Sequence, residues 1–341
     1  APTNSNTAAS GRAAEMAARL RTGLIIVVLL AAAPGMAIAA SGRIYVTNEK
    51  SSNITVLDGK SYKVVRSFKT CKRPRGVHFS KDRKQFYVGC ADDNVIAVYE
   101  TATAKLVKRI RGIEEPETFD LAPDGKTLYV SNEEDAAVSF VDIETGKVIK
   151  SVELGEEPEG VQVTADGSTV YVASEAANLV HVIDTASAEI KADILVGTRP
   201  RRFALTPDEK ELWVSAELAG QVDIIDTRTN KTTGDIVFKP TGFRRNEVTP
   251  VDLLMTADGK TAFVALGRAN HVAVVDVASR KVTDYILVGK RPWGLALGHD
   301  EETLFVANGL SDDVSIIDVA SHRVLKSVAV GRVPYGILID D

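Results

Sequence analysis

The chain has 341 residues, of which 45% are hydrophobic, 26% charged and 6% aromatic, and it carries a net charge of −5 and two cysteines. This composition excludes a disordered chain, a multi-span membrane protein and a small disulfide-stapled domain. It leaves either two ordinary domains or one large domain built from repeats. The mild acidity gives no reason to expect nucleic acid as a partner.

Residues 1–39 have the pattern of a leader with a secretory signal peptide rather than of a folded domain. Arg19 and Arg21 precede the apolar run Leu24–Ala33, and small residues follow it up to Ala39. The run is about half as long as a membrane-spanning helix, which needs roughly 20 apolar residues. We therefore predict cleavage after Ala39 and export, to the periplasm in a Gram-negative bacterium, with no membrane attachment afterwards.

From residue 40 onward, a period of 42 residues dominates the sequence. An aromatic residue followed by valine occurs seven times: Tyr45-Val46, Tyr87-Val88, Tyr129-Val130, Tyr171-Val172, Trp213-Val214, Phe263-Val264 and Phe305-Val306. The spacing is 42 residues throughout, except for 50 between Trp213 and Phe263. A proline marks the same loop in each repeat: Pro74, Pro116, Pro158, Pro200, Pro250, Pro292 and Pro334. Short alternating apolar segments separated by polar turns predict four antiparallel strands per repeat.

A repeat of four short antiparallel strands is typical of the blade of a β-propeller, whose strands we name A to D from the centre outward. The chain enters at a strand B near residues 43–48 and ends with Pro334–Ile339, which has the sequence of a strand A. We therefore expect the last strand to join the first blade and close the ring. The predicted fold is all-β, a seven-bladed β-propeller of four-stranded antiparallel blades that forms a single domain over residues 40–341.

The segment Tyr45-Val46-Thr47-Asn48 is the signature of the YVTN family of β-propeller repeats, and residues 116–131 and 292–308 follow the same consensus. Beyond residue 39 the whole chain resembles this family, and in particular the PQQ-dependent catabolism-associated β-propeller proteins. That resemblance implies a role beside periplasmic quinoprotein alcohol oxidation. It does not imply quinone binding, because quinoprotein dehydrogenases have eight blades with a tryptophan motif in each, whereas this chain has two tryptophans.

The D–A and B–C loops share one face of a propeller, which is its usual binding surface. Around the seven prolines, blades 3 and 4 carry glutamates and the other blades carry mostly arginines, which can hold a carboxylate with two hydrogen bonds. Two sectors of opposite charge could orient a periplasmic protein partner or hold a small anionic ligand; solvated loop charge is the alternative. The candidate binding residues are Arg75, Glu117, Glu159, Arg201, Arg202, Arg244, Arg245, Arg291, Trp293, Arg332 and Tyr335.

Two further features lie on the same predicted face. Trp293 and Tyr335 follow the loop proline in adjacent blades, where they could stack a flat ligand, anchor a partner, or pack against neighbouring loops. The extra residues around 239–246 lengthen the D–A loop that enters blade 6. Such an insertion is either functional or neutral.

The two cysteines belong to one blade. Cys71 precedes strand A of blade 2, and Cys90 follows strand B of that blade. Antiparallel pairing places the start of A beside the end of B, so the two thiols are expected to lie close together. In an oxidising compartment this predicts a disulfide, with free thiols or a redox pair as alternatives.

Motifs for catalysis are absent from the sequence: it has no covalent-haem motif, no phosphate loop, no nucleophile elbow and no histidine pair at metal spacing. Of the five histidines, His78 alone falls on an inner strand, which makes it the one candidate ligand for a haem or metal. The aspartates that end most C strands repeat around the ring. We therefore expect them to bond to turn backbone rather than to catalyse.

These observations favour an exported, monomeric, non-catalytic binding or scaffold protein without a cofactor. By resemblance it is accessory to periplasmic PQQ-dependent alcohol catabolism. Two alternatives remain. One is a redox or hydrolytic propeller enzyme with a haem or metal in the central channel, and the other is a cell-envelope interaction protein.

Overall fold

The computed structural model describes residues 41–341, so the predicted signal peptide lies outside the described residues. Twenty-eight strands form seven four-stranded antiparallel sheets, which confirms the predicted β-propeller. Two short 3₁₀ turns, Ala91–Asp93 and Arg245–Glu247, are the helical elements of this part of the chain. No helix within residues 41–341 has the length and apolarity needed to cross a membrane.

Each blade runs in space from its inner strand A to its outer strand D. Blade 1 contains β28 (Pro334–Asp340), β1 (Arg43–Asn48), β2 (Asn53–Asp58) and β3 (Val64–Lys69). Blade 2 contains β4 (Pro74–Phe79), β5 (Gln85–Cys90), β6 (Val95–Glu100) and β7 (Leu106–Arg111). Blade 3 contains β8 (Pro116–Leu121), β9 (Thr127–Asn132), β10 (Ala137–Asp142) and β11 (Lys147–Glu153). Blade 4 contains β12 (Pro158–Val163), β13 (Thr169–Ser174), β14 (Leu179–Asp184) and β15 (Glu189–Leu195).

The remaining three blades follow the same order. Blade 5 contains β16 (Pro200–Leu205), β17 (Glu211–Ala216), β18 (Gln221–Asp226) and β19 (Lys231–Val237). Blade 6 contains β20 (Pro250–Met255), β21 (Thr261–Leu266), β22 (His271–Asp276) and β23 (Lys281–Leu287). Blade 7 contains β24 (Pro292–Leu297), β25 (Thr303–Asn308), β26 (Asp313–Asp318) and β27 (Arg323–Ala329).

The core of the protein lies between the blades. Both faces of the B and C strands are buried, so these strands are apolar almost throughout. The aromatic residue of each repeat packs against a neighbouring blade; Tyr87 of blade 2, for example, joins Phe119 and Leu128 of blade 3 in one cluster. Burying such a side chain stabilises the fold by about 1.5–3 kcal/mol. Because each sheet needs its neighbours to cover both faces, the ring has to close.

Closure occurs in blade 1, as predicted. Strand β28 pairs antiparallel with β1, and the register places Leu338 opposite Tyr45 and Asp340 opposite Arg43. The first and last strands of the described chain therefore share one sheet. This pairing removes two exposed sheet edges.

In four of the seven blades the second residue after the loop proline is glycine, which allows a close approach between neighbouring inner strands. At Gly160 an added Cβ would lie 2.0 Å from the carbonyl oxygen of Arg201, and at Gly294 it would lie 2.1 Å from that of Tyr335. Neighbouring inner strands approach closely at this point only because no side chain separates them. The inner strands are also irregular at this level, with a register shift within the first four residues of each of the six inner strands β4, β8, β12, β16, β20 and β24.

Candidate functional site

The D–A and B–C loops lie on one face, which we call the upper face; the A–B and C–D loops form the lower face. At the upper end of the channel, the residue after each loop proline contributes to a ring of seven side chains that we call the mouth layer. Except for the half-buried Trp293, its members are only 0–6% exposed. They therefore fill the upper end of the channel instead of projecting from the surface. The mouth layer consists of Arg75, Glu117, Glu159, Arg201, Val251, Trp293 and Tyr335.

Glu159 is the centre of the mouth layer. Its Oε1 lies 3.2 Å from Nη2 of Arg201 and 3.0 Å from Nη2 of Arg202, and it accepts a 2.9 Å hydrogen bond from the Tyr335 hydroxyl. Arg75 lies 3.9 Å away on the other side. Although burial opposes ionisation, these guanidinium groups hold the pKa of Glu159 well below its ordinary value. Glu159 is therefore a buried carboxylate stabilised by three cations.

A second group of ion pairs surrounds Arg201. Its Nη1 lies 2.6 Å from Glu175 and 3.2 Å from Glu217, two carboxylates that follow the B strands of blades 4 and 5. Arg199 contacts the same two carboxylates at 2.8 and 3.2 Å. Arg291, in the D–A loop that enters blade 7, lies 2.8 Å from Glu217. The B–C loops thus supply the negative partners of the D–A loop arginines.

The opposite side of the mouth layer carries excess acid. Glu117 contacts Arg75, and Arg73 Nη2 lies 3.1 Å from it. Burial, together with the charge of Glu159, nevertheless raises the pKa of Glu117 to about 9. Burial also raises the pKa of the neighbouring Glu133.

Glu115, Glu117 and Glu133 are the one group of metal-ligand type found in the described residues. Arg73 and Arg75 contact the central carboxylate of that group. Two guanidinium groups therefore already occupy the position of a cation, and the cluster is explained as part of the ion-pair network.

Trp293 is the member of the mouth layer that reaches solvent. Arg291 lies over its ring at 4.6 Å and Arg201 at 5.0 Å, and the ring of Tyr335 is 5.9 Å away. Gly309 makes room for the indole, because a Cβ there would lie 2.5 Å from its Cδ1. The indole is thus fixed between two cations, with part of its surface exposed at the mouth of the channel.

The candidate residues fall into an inner and an outer group. The inner group pairs with itself: Arg75, Glu117, Glu159, Arg201 and Tyr335 are buried, and Arg202 and Arg291 are half-buried. The outer group, Arg244, Arg245 and Arg332, is exposed. The sequence pattern predicted that these residues lie together at one end of the channel, and the structure places them there. The pattern did not indicate that the inner charges form ion pairs with one another. Their role in binding stays a prediction.

Exposed charge on the upper face keeps the predicted division into sectors. Blades 3 and 4 expose only carboxylates at these loop positions, and the loops of the other blades expose mainly cations. The acidic sector consists of Glu114, Glu134, Asp135, Glu156 and Glu157. The basic sector consists of Lys72, Arg244, Arg268, Lys290 and Arg332. Leu218 and Leu310, which follow the B strands of blades 5 and 7, are 47% and 68% exposed on the same face.

The insertion lies on this face as predicted. The backbone amide of Arg244 donates to Glu247, and Arg245 donates from Nε to the Ala219 carbonyl and from Nη2 to Gln221. Phe238, at the start of the loop, is completely buried. The loop is therefore packed against the B–C turn of blade 5.

Cys71 and Cys90 form a disulfide at the upper end of blade 2, where β4 begins and β5 ends. His78, the candidate ligand, is 43% exposed on β4. Its Nδ1 lies 2.7 Å from the Phe79 carbonyl, and its Nε2 lies 3.7 Å from Asp120. In the described residues His78 belongs to no cluster of potential metal ligands.

One constellation has no counterpart among the sequence predictions. His181 Nε2 lies 2.9 Å from Ser174 Oγ, and its Nδ1 lies 2.6 Å from Asp193, on three adjacent strands of blade 4. The geometry resembles a Ser–His–Asp triad. However, Ser174 is completely buried and its Oγ also lies 3.0 Å from the Gly155 carbonyl.

Other blades carry hydrogen-bonded polar side chains at the equivalent positions. In blade 1, Asn48 donates to Thr55, whose hydroxyl lies 3.2 Å from that of Ser67. The blade 4 constellation is therefore the local form of an inter-strand network. Aligning the seven repeats, which places Ser174 at the position of Asn48, is the signal that could have identified it.

Comparison with solved structures shows the fold. The chain is similar to hydrazine synthase of Kuenenia stuttgartiensis, with 22% identity, a TM-score of 0.70, and coverage of 77% of this chain and 88% of the other. It is similar to a functionally unknown protein from Desulfotomaculum acetoxidans, with 17% identity, a TM-score of 0.74, and coverage of 88% and 99%. A dihydro-heme d1 dehydrogenase gives 14% identity, a TM-score of 0.66, and coverage of 87% and 75%.

Comparison with protein families shows which family the chain belongs to. No curated protein is similar enough to count as a match. Residues 39–203 match the YNCE-like β-propeller family. Residues 130–308 match the choice-of-anchor I domain, which indicates a secreted or cell-surface protein. Because this second match spans slightly more than half of the chain, the protein belongs to the choice-of-anchor I domain family.

Proposed function

We propose that this protein is an exported, non-catalytic binding module whose upper face docks a periplasmic protein partner. In keeping with its resemblance to the PQQ-dependent catabolism-associated β-propeller proteins, we propose that it serves periplasmic PQQ-dependent alcohol catabolism. The partner is then a component of quinoprotein alcohol oxidation. No cofactor of its own is required for this role.

The observation that carries the proposal is the division of exposed charge on the upper face. The acidic and basic sectors remain outside the internal ion-pair network, so their charges are available to a partner. Leu218 and Leu310 add exposed apolar surface on the same face. Complementary charge chiefly fixes orientation and association rate, and exposed apolar and aromatic side chains supply most of the affinity.

The mouth layer supports this role by holding the face rigid. Arg73, Arg199 and Arg291 extend from D–A loops, and each is ion-paired with a carboxylate from a B–C loop or from the mouth layer. Loops that are fixed before binding lose little conformational entropy on association. Trp293, fixed between two guanidinium groups, is the expected anchor.

A charge-reversal variant tests the proposal. Arg244, Arg268 and Lys290 are exposed members of the basic sector, and changing all three to Glu leaves the buried network intact. The protein, immobilised and exposed to periplasmic extract, is expected to retain a PQQ-dependent alcohol dehydrogenase or its electron acceptor. The triple variant is expected to lose that capture, and the wild-type capture is expected to weaken with salt.

The matched control reverses three exposed lysines in lower-face turns, Lys60, Lys105 and Lys126. This control is expected to capture the partner as the wild type does. Equal loss in both variants, or in neither, rejects upper-face docking. Capture of a protein unrelated to quinoprotein oxidation rejects only the metabolic assignment and favours the cell-envelope interaction alternative.

The enzyme alternative makes different predictions. A haem at His78 would give a visible absorption band in the purified protein, and a metal would be found by elemental analysis. A catalytic Ser174 would react covalently with a fluorophosphonate probe, and Ser174→Ala would abolish the reaction. We expect no haem or metal signal, because within residues 41–341 His78 belongs to no cluster of potential metal ligands. We expect no probe reaction, because Ser174 is buried and already hydrogen-bonded within its blade.

A further inference from the structure

Below the mouth layer, the channel contains a cavity of about 200 Å³. All seven inner strands contribute to its wall. About half of the wall is apolar, from residues such as Phe119, Val161 and Leu295, and part of it is bare backbone at Gly294 and Gly336. A water molecule takes up about 30 Å³ of liquid. The cavity therefore has room for a small organic molecule but not for a drug-sized ligand, which needs at least roughly 300 Å³.

Only two charged side chains line this cavity, Arg202 and Asp252. Each is the second residue after its loop proline, on the adjacent inner strands β16 and β20. At the same register position, blades 2, 4, 7 and 1 have glycine, as at Gly294 and Gly336. The wall thus combines one cation and one carboxylate on neighbouring strands with glycine positions that leave the rest of the ring unobstructed.

Arg202 has hydrogen-bonding capacity left over. Its Nη2 donates to the Tyr335 hydroxyl and lies 3.0 Å from Glu159, but its buried Nη1 has no hydrogen-bond partner in the described structure. Within the described residues, Glu159 is the one carboxylate partner of Arg202 within 4 Å. Glu159 is also shared with Arg75 and Arg201. A buried donor without a partner costs roughly 1–3 kcal/mol. Because Arg202 lines the cavity, a rotation of its guanidinium group toward the cavity would let this donor bind a ligand carboxylate.

Asp252 is held as a fixed acceptor. One carboxylate oxygen accepts from its neighbour Leu253 at 3.0 Å, and the other accepts from the Leu295 amide of the adjacent blade at 2.8 Å. Each oxygen keeps a further lone pair for a ligand donor. The two backbone bonds orient the carboxylate without help from any side chain.

We propose that this cavity binds a small carboxylic acid that carries a hydroxyl or amino group next to the carboxylate, with the acid on Arg202 and the donor on Asp252. The short carbon chain then contacts the apolar wall. Trp293 borders both this cavity and the docking surface of the proposed function. The cavity proposal depends on Arg202 and Asp252 and the docking proposal on the exposed charges, so either can fail without the other.

The ligand enters from the lower face. Except at Trp293, which reaches solvent, buried side chains of the mouth layer centred on Glu159 and Arg201 fill the upper end. A second cavity, of about 580 Å³, lies farther down the inner strands β12, β16 and β20, and includes Val163, Leu254 and Met255. The three strands that carry this second cavity also carry Val161, Arg202 and Asp252 of the first cavity, nearer the upper face.

Calorimetric titration with a matched set of small molecules tests the proposal. Lactate carries both groups, propionate lacks the hydroxyl, and 1,2-propanediol lacks the carboxylate; glycerate and alanine extend the acid series. We expect saturable 1:1 binding of lactate, glycerate or alanine, and clearly weaker binding of propionate and propanediol. Because a hydrogen bond to a charged group is worth about 1.5–3 kcal/mol, each missing group is expected to weaken binding roughly ten- to hundredfold.

Three variants assign any binding to the cavity. Val161→Phe fills the space without changing a charge and is expected to abolish binding. Arg202→Gln is expected to weaken every acid roughly ten- to hundredfold, and Asp252→Asn to reduce the preference for lactate over propionate. Arg109→Gln, which changes an exposed arginine on the outer strand β7, is the control and should bind as the wild type does.

Two results overturn the proposal. One is the absence of saturable binding by all three acids. The other is binding that Val161→Phe leaves unchanged, since this places the ligand outside the channel. Because Arg202 also contacts Glu159, the unfolding midpoint of each variant is measured alongside, and Val161→Phe decides the question if Arg202→Gln does not fold.

Discussion

Two positions recur in every blade, and they behave differently. In the turn after strand C, six blades have the same aspartate: Asp58, Asp142, Asp184, Asp226, Asp276 and Asp318. Its side chain accepts hydrogen bonds from the residue three positions on, as Asp184 does from the amide and the hydroxyl of Ser187 at 2.8 and 3.0 Å. At the residue after the loop proline, by contrast, the seven blades have five different residue types: arginine and glutamate twice each, and valine, tryptophan and tyrosine once each.

The difference lies in the range of the interactions. The turn aspartate bonds within its own turn, so the same residue serves in six blades, and the expected hydrogen bonds to turn backbone are confirmed. The mouth layer bonds across the ring; Tyr335 and Glu159, for example, are 176 residues apart. A residue there has to fit its neighbours in other blades and cannot repeat all the way round. A residue type that repeats at one position therefore indicates hydrogen bonds within a blade. A residue type that varies from blade to blade indicates contacts between blades.

Arg201→Ala should have the largest effect, because it breaks the buried network at its most connected point. Glu175, Glu217 and Glu159 would each lose a partner. Removing one member of a buried ion pair costs about 3–5 kcal/mol, and we expect a loss of that size in the free energy of unfolding from urea titration. Arg244→Ala, on the same face but exposed, is the control and should change stability by less than about 0.5 kcal/mol. A similar small loss in Arg201→Ala would show that the network contributes nothing to stability.

The disulfide of blade 2 can be compared with the contacts that join the D–A loop to the end of strand B in other blades. The positions of Cys71 and Cys90 are occupied in blade 4 by Gly155 and Ser174, where Ser174 Oγ lies 3.0 Å from the Gly155 carbonyl. In blade 1 they are occupied by Gly331 and Asn48, and the Gly331 amide donates a hydrogen bond to Asn48. Blade 2 replaces this polar contact by the bond from Cys71 to Cys90.

Removing both cysteines as Cys71→Ala and Cys90→Ala should therefore cost about 2–4 kcal/mol, as for other disulfides that close a loop of this length. Thermal unfolding with and without reductant measures the effect. Reductant should lower the melting temperature of the wild type and leave that of the double variant unchanged. A reductant effect of equal size on both proteins would contradict a disulfide in blade 2.

Glu117→Gln should have a smaller effect and should change the pH dependence. Burial and the charge of Glu159 raise the pKa of Glu117 to about 9, so the folded protein keeps this proton above the pH at which the unfolded chain loses it. Its contribution to stability is thus fully present below about pH 4.5 and is lost as pH rises towards 9. Glutamine resembles the protonated form and cannot titrate.

We therefore expect Glu117→Gln to cost about 1 kcal/mol or less at pH 6 and to flatten the decline in stability between pH 5 and 9. Urea unfolding across that range measures both quantities. A loss near that of Arg201→Ala at pH 6, with an unchanged pH profile, would mean that Glu117 is ionised against Arg73 and Arg75.

The sequence predicted the part of the molecule that repeats. Spacing of the aromatic-valine pairs and of the prolines located all seven blades, and the sequence of residues 334–339 located the closing strand. The mouth layer was predicted only as a set of residues at one end of the channel. Arg75 and Glu117, which are in contact, both lie within a register shift near the start of their inner strands, and periodicity does not report such a shift. For the same reason the charges of Arg201 and Glu159 were expected on the surface rather than in the interior.

The smallest effect is expected at the repeated turn, in Asp184→Ala. The side chain is exposed to solvent on one side and its bonds reach only Ser187, so its loss should lower the melting temperature less than any change in the mouth layer. Asp184→Asn keeps an acceptor at Oδ1 and should lie closer to the wild type.

The pH dependence of this turn has the opposite sign to that of Glu117. Hydrogen bonds from the amide and hydroxyl of Ser187 lower the pKa of Asp184, so its contribution to stability is present above the pKa of the unfolded chain and is lost as pH falls through the folded value. Asp184→Ala should therefore differ from the wild type at neutral pH and converge with it in acid. If Asp184→Ala instead destabilised the ring as much as Arg201→Ala does, the aspartate could not be acting only within its own turn. Repetition of a residue type around the propeller would then no longer distinguish residues that act within one blade from residues that connect the blades.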